Sequence, residues 1–378
     1  MDNLTHSLVG LAAARAGLGR TSPLATATCV LAANAPDADI LALAGGPSFY
    51  LQHHRGITHS VVGTLALGLL LPALVWGAER LYARLRGRSP GADFKGLLLC
   101  SMLLAASHPL LDWTNSYGVR PWLPWDAGWH YGDLVFILDP YIWLALGGAA
   151  FLASPGGKWR AAAWALLALS LSLALLLLPG RVGVSLPPAG YAIWFGGLAA
   201  LAAAGFRKGG GRLWPAVPAA ALALVVAYWG ALALFQRRAF EAAQEAAGGL
   251  AAARGERVLK VAAMPTLADP TRWLCAAETD AATFRYELAL GEPLTPESLR
   301  RVVRVEKPAQ RERELVAEAE RDERVRVLLD FARFPAVRLD RNCAGETIAL
   351  FSDLRFAAPG ERGRGGSFSV EVPVGGAP

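Results

Sequence analysis

All six histidines of this 378-residue chain, His6, His53, His54, His59, His108 and His130, fall within its first 130 residues. They stand among carboxylates set in apolar sequence: Asp37 and Asp39 in APDAD, Asp112 in HPLLD, Asp133 and Asp139 in GDLVFILDP. A charged group at the centre of a membrane helix costs about 2.5–3.5 kcal/mol, so such residues are kept for pairing or for function. His108 and Asp112 are four positions apart, which on a helix puts both on one face and within reach of one ion. The five-residue offset from His54 to His59 fits a loop position for His54 and a helix start for His59, with Thr58 as N-cap. Imidazole and carboxylate without thiolate suit zinc or manganese and leave room for water. The candidate ligands are His6, Asp37, His54, His59, His108 and Asp112. Asp37 is a candidate for ligand or general base, and Arg55 for contact with an anionic substrate group or a lipid phosphate. His130, among Trp122, Trp125, Trp129 and Tyr131, fits an interfacial aromatic belt better than a ligand site.

The elements that must position these residues are apolar. Hydrophobic residues make up 54% of the chain and charged ones only 18%, against about 45–50% and 25% for globular proteins. That excludes a disordered or coiled-coil protein. Apolar runs at 4–19, 23–44, 57–78, 96–117, 134–153, 160–178, 189–206 and 214–236 give an α-helical multi-pass membrane protein of about eight transmembrane helices, with six to eight compatible with the runs. Met1-Asp2-Asn3 lacks a basic n-region and no A-x-A-like site follows, so the first run is expected to stay. In the eight-crossing arrangement 12 of the 15 Lys and Arg before residue 237 fall on one side, leaving Arg55, Arg120 and Arg181 on the other. The basic side is cytoplasmic by the positive-inside rule. The histidine- and aspartate-bearing ends and the C-terminal region are then extracytoplasmic. Histidines did not enter that count, so their gathering at one side is a separate observation.

Residues 237–378 carry 22 basic and 22 acidic residues, and the net charge of +6 lies wholly before them. Nucleic-acid binding is not implied. Strand-like alternation at 272–290, 345–356 and 367–374 and a solvated helix over 309–332 give a small α+β soluble domain. The expected organisation is 1–153, a membrane domain with the His/Asp motifs; 154–236, additional transmembrane helices; and 237–378, the extracytoplasmic domain. Cys29 and Cys100 lie in apolar runs, whereas Cys275 and Cys343 could pair in an oxidising compartment.

Taken together, MDNLTHSLVG, APDAD, HHRGITHS, HPLLDWTNSYGVRPWLPW and GDLVFILDPYIWL resemble the YdjM-like family of bacterial inner-membrane proteins, regarded as metal-dependent hydrolases. The resemblance is close over residues 1–150 and looser beyond. It implies a multi-pass protein of the inner membrane in which HRGxTHS and HPxxD supply His54, His59, His108 and Asp112 as ligands. The motif order is also similar to that of zinc-dependent phospholipase C and P1-type nucleases, a pattern on which His6 and Asp37 join the set. The expected function is hydrolysis of an ester or phosphoester at the outer membrane face, on a small-molecule or lipid-linked substrate, with one or two divalent ions, zinc or manganese. The alternative is a non-enzymatic metal-binding scaffold or regulatory protein. An ion carrier fits less well, because 160–178 and 189–206 contain no Asp, Glu, His or Lys.

Overall fold

The computed structural model describes residues 1–154, 157–181, 186–207, 216–293, 299–342, 345–361 and 368–375. The chain divides into two compact units, one of residues 1–39, 55–233 and 267–269, the other of 40–54, 234–266 and 270–378.

The first unit is helical. In chain order the helices are α1 (Asn3–Ala16), α2 (Ala25–Asn34), α3 (Pro47–His53, which belongs to the second unit), α4 (Val61–Leu85), α5 (Phe94–Trp113), α6 (Pro140–Ala153), α7 (Lys158–Arg181), α8 (Pro188–Arg207) and α9 (Ala216–Ala252). A 3-10 stretch, Ala35–Gly45, prolongs α2, and a 3-10 turn, Ile57–His59, precedes α4. Short polar side chains start the helices by accepting backbone N–H groups that would otherwise lack partners. Asp2 accepts from Thr5, Asp93 from Gly96, and Asp139 from Tyr141 and Ile142. At α4 the cap is Ser60, accepting from Gly63 at 3.1 Å, and not Thr58 as expected. His59 falls in the 3-10 turn, which moves the helix start two residues on.

Two glycines set close approaches that the site depends on. A Cβ on Gly10 would lie 2.8 Å from the Cys29 carbonyl oxygen, so its absence lets α1 lie against α2. A Cβ on Gly63 would lie 1.8 Å from the Ile57 carbonyl oxygen, which forces the turn carrying His59 onto the first turn of α4.

Six segments among the described residues are long and apolar enough to cross a membrane: Ala25–Gly45, Val61–Leu85, Phe94–Trp113, Lys158–Gly180, Pro188–Gly205 and Ala216–Ala252. The other two expected crossings, 4–19 and 134–153, are the 14-residue helices α1 and α6. Each rises about 21 Å, short of a hydrocarbon core of about 30 Å. Gly17 stops the first, and the Asp139-Pro140 start delays the second. The protein is a multi-pass helical membrane protein with a C-terminal α+β domain.

In the second unit β1 (Val258–Thr266), β2 (Asp269–Thr279), β3 (Ala282–Ala289) and β4 (Arg300–Glu306) form a sheet in that order. After α10 (Arg313–Ala319) and α11 (Glu323–Phe331), β5 (Pro335–Arg341), β6 (Thr347–Asp353) and β7 (Ser369–Val374) form an antiparallel second sheet. Ala239, Ala243, Ala246 and Ala247 of α9 pack with Trp273, Cys275, Phe284 and Tyr286. The Tyr286 hydroxyl donates to the Ala243 carbonyl at 2.6 Å. The helix expected over 309–332 is broken into α10 and α11, where Asp322 caps a fresh start. The expected strands are present, and β1, β4 and β5 are added to them. Cys275 is a buried free thiol, and Cys343 lies outside the described residues.

Candidate metal centre

Four side chains of the first unit converge: Asp37 from the 3-10 stretch after α2, His59 from the turn before α4, and His108 and Asp112 one helical turn apart on α5. His59 Nε2 lies 3.1 Å from His108 Nε2, 3.4 Å from Asp37 Oδ1 and 3.2 Å from Asp112 Oδ2. His108 Nε2 lies 3.3 Å from Asp37 Oδ1 and 3.5 Å from Asp112 Oδ2. Donors at the corners of a tetrahedron with metal bonds of about 2.0 Å stand about 3.3 Å apart, so these five separations fit one such ion.

Hydrogen bonding behind the rings fixes which nitrogen faces inward. His108 Nδ1 sits 2.6 Å from the Ala33 carbonyl oxygen, which only accepts, so the neutral ring carries its proton there and turns the Nε2 lone pair inward. His59 Nδ1 faces the Asp39 carboxylate at 3.3 Å and Thr58 Oγ1 at 3.0 Å, with the same result. In those tautomers two imidazole lone pairs and two carboxylate oxygens face one another. Asp112 Oδ2 is buried and has no hydrogen-bond partner. An unsatisfied buried carboxylate oxygen is expensive, and a cation among the four donors removes that cost. Carbonyl and carboxylate partners on the outer ring nitrogens are the usual orienting groups of metal-bound histidine.

The other Asp112 oxygen is held by cationic and polar groups. Oδ1 accepts from Arg55 Nη2 at 3.0 Å and from the Met1 amino group, and His6 Nε2 lies 3.3 Å away. His6 stacks on His108 with ring centroids 3.7 Å apart. Asn3 donates to Asp37 Oδ2 at 2.7 Å. Arg55 is only 2% exposed. Its guanidinium also donates to Asn115 Oδ1 at 3.0 Å and lies 4.8 Å from the Tyr117 ring centroid. It adopts a left-handed backbone, φ 53°, a conformation that costs a non-glycine residue about 1–3 kcal/mol and persists where surroundings enforce it. Here its N–H donates to Asp39 Oδ2 at 2.8 Å while its side chain grips Asp112.

The YdjM inner membrane protein family matches residues 1–182. The similarity is confined to this N-terminal part, a little under half of the chain. All four converging donors lie in the matched part, as do His6, Asp39 and Arg55. The uncharacterized protein YfhP of Bacillus subtilis (strain 168) is 29% identical over 155 residues, an alignment covering 38% of this chain and 44% of YfhP. The chain thus spans less than half the length of that curated relative. No solved structure matches.

Of the six candidate ligands, the structure brings Asp37, His59, His108 and Asp112 together. His6 stands one step outside, against Asp112 and His108. His54 is not one of the four: it follows α3 in the second unit and stacks on Tyr50 at 4.6 Å. Arg55, expected to contact an anionic substrate group or a lipid phosphate, is turned into the protein against Asp112. His53 is exposed, with Nδ1 2.9 Å from the Phe49 carbonyl. His130 pairs its backbone with Val119, and Asp139 caps α6 and accepts from Tyr228. The sequence reading did not single out Asn3, Asn115 or the Ala33 carbonyl. Only the NLTH and DWTNS segments flanking the ligands could have drawn attention to the first two.

Proposed function

We propose that the matched part is a membrane-embedded, metal-dependent hydrolase of an ester or phosphoester, acting on a small-molecule or lipid-linked substrate at the outer face of the inner membrane. The observation that carries this reading is the convergence of two inward imidazole lone pairs, Asp37 Oδ1 and the unsatisfied Asp112 Oδ2. A divalent ion bound there supplies Lewis acidity toward a carbonyl or phosphoryl oxygen and makes water a better nucleophile near neutral pH. His59, His108 and Asp112, all three fully buried, would hold it with Asp37 Oδ1 as the fourth donor. Asp37 is the donor that solvent reaches, its side chain 15% exposed. It is therefore the group placed to take a proton from attacking water, steadied by the Asn3 amide on its other oxygen. Arg55 positions Asp112 by occupying Oδ1, which leaves Oδ2 directed at the histidines.

The charge pattern supports the outward orientation. Arg15 lies in the last turn of α1, Arg80 and Arg84 near the end of α4, and Lys95 at the start of α5. These are the ends opposite those bearing His6, His59 and Asp112, and basic ends are retained in the cytoplasm.

One observation favours the second reading, a metal-binding scaffold or regulatory protein: four protein donors fill a tetrahedron, as in closed structural zinc sites. Hydrolysis assays separate the two. Purified protein tested on aryl phosphate, aryl ester and phospholipid substrates should show activity that a chelator removes and zinc or manganese restores, with Asp37→Asn inactive. Bound metal with no turnover on any of these classes would favour the scaffold.

A further inference from the structure

Away from the His/Asp cluster, α6, α7 and α8 of the first unit, with Leu8 of α1, line an open-sided cavity of about 700 Å³, within the range of about 300–1,000 Å³ typical of small-molecule sites. Its walls are apolar, with Trp143, Trp164 and Trp194 among them, and its polar lining is gathered at one end, where Lys158 and Arg160 stand exposed at the start of α7 beside Ser154. From this geometry we infer that the cavity is a binding site for an anionic phospholipid, its acyl chains between α6, α7 and α8 and its phosphate at Lys158 and Arg160.

Dimensions and charge both fit that occupant. The lining runs from Trp143 to Ser154 on α6, Lys158 to Leu171 on α7 and Trp194 to Gly205 on α8. At 1.5 Å per residue these stretches are about 16–20 Å long, close to one leaflet of a hydrocarbon core of about 30 Å. The cations sit at the end where headgroups of that leaflet lie. Each basic side chain near an anionic headgroup favours it by about fivefold, so two give roughly a thirtyfold preference over a zwitterionic lipid. Ordinary boundary lipid, which covers any transmembrane surface, would show no such preference.

The test is native mass spectrometry of the full chain released from nanodiscs of equal phosphatidylglycerol and phosphatidylethanolamine content. The expected result is one retained phosphatidylglycerol per chain, favoured by about thirtyfold. The double variant Lys158→Ala/Arg160→Ala, at exposed positions, should bring the preference near unity while leaving metal content unchanged. Gly147→Leu should remove the retained lipid itself. A Cβ at Gly147 lies 3.8 Å from a Leu8 methyl and 4.0 Å from Trp164, ordinary contact distances, so the larger side chain extends into the cavity. Should Gly147→Leu fail to fold, the charge variant alone decides. Lipid retained without headgroup preference, or a preference that survives the charge variant, would overturn the site.

Discussion

Two buried aspartates, one in each unit, sit under the same burial and end in opposite states. Asp353 of the soluble domain is fully buried and accepts from Arg355 through Nε at 2.8 Å and Nη2 at 2.7 Å, and from the backbone N–H groups of Arg355 and Arg333 at 3.0 and 3.1 Å. Both of its oxygens are occupied, and Arg355 in turn packs on Phe331 and Phe356. Asp112 of the membrane unit also has its arginine, but Arg55 takes only Oδ1, and Oδ2 is left facing two histidines and Asp37. A completed ion pair holds structure together. A carboxylate satisfied on one side and turned on the other toward two histidines and a second carboxylate belongs to a group that could hold a metal ion.

The sharpest way to break this comparison is to remove each aspartate in turn. Asp112→Ala should abolish stoichiometric metal binding and leave Arg55 buried without its main partner, a loss of about 3–5 kcal/mol. Asp353→Ala should cost the soluble domain a similar amount and leave metal content unchanged. Calorimetry together with metal analysis reads both; metal lost from the Asp353 variant or kept by the Asp112 variant would erase the distinction. A chelator should act on one unit only, lowering the stability of the membrane unit by up to about 4 kcal/mol, the linkage expected for an ion present at 1,000 times its dissociation constant. The melting transition assigned to the soluble domain should stay where it was.

Smaller effects sharpen the account. Asp39→Asn removes the anionic partner of His59 Nδ1 without touching a ligand and should weaken metal binding by about 10–100-fold, read by competition with a fluorescent chelator. No change in affinity would mean that Asp39 serves the Arg55 turn alone. The smallest effect concerns Cys275. Burial, with Glu287 adding to it, pushes its thiol well above the usual range, so at pH 8 it is protonated and shielded, and the thiolate is the reactive form. Iodoacetamide should leave it unmodified in the folded protein and label it on denaturation. Rapid labelling of the native chain would contradict the packed core around Trp273 and Tyr286.

Much of this was legible in the sequence because membrane segments penalise ionisable residues: an Asp or His in an apolar run must be explained, and HPLLD and APDAD drew attention to Asp37, His108 and Asp112. The helix periodicity of α5 fixed the pairing of His108 with Asp112. The contact of Arg55 with Asp112 was not legible. A basic residue next to histidines in a loop reads as solvent-facing, and only the left-handed backbone at that position turns it inward. His54 lies outside the four, and no pattern in the sequence sets it apart from His59. The length of α1 and α6 was overread, since apolar composition continues past Gly17 and begins before Pro140 while helical geometry does not. In the soluble domain β1, β4 and β5 were missed: β4 is Arg-rich and exposed, and β5 carries two arginines and an aspartate, so neither shows a clear apolar alternation.

We propose that Asp37, His59, His108 and Asp112 hold one divalent ion. Inductively coupled plasma mass spectrometry on protein purified without added metal or chelating resin, beside Asp112→Asn handled identically, tests it most directly. Close to one zinc or manganese per chain is expected in the unaltered protein and essentially none in the variant. Metal-free protein that still refuses zinc and manganese on titration, or equal metal in both proteins, would contradict it and leave the cluster as a set of hydrogen-bonded helix contacts.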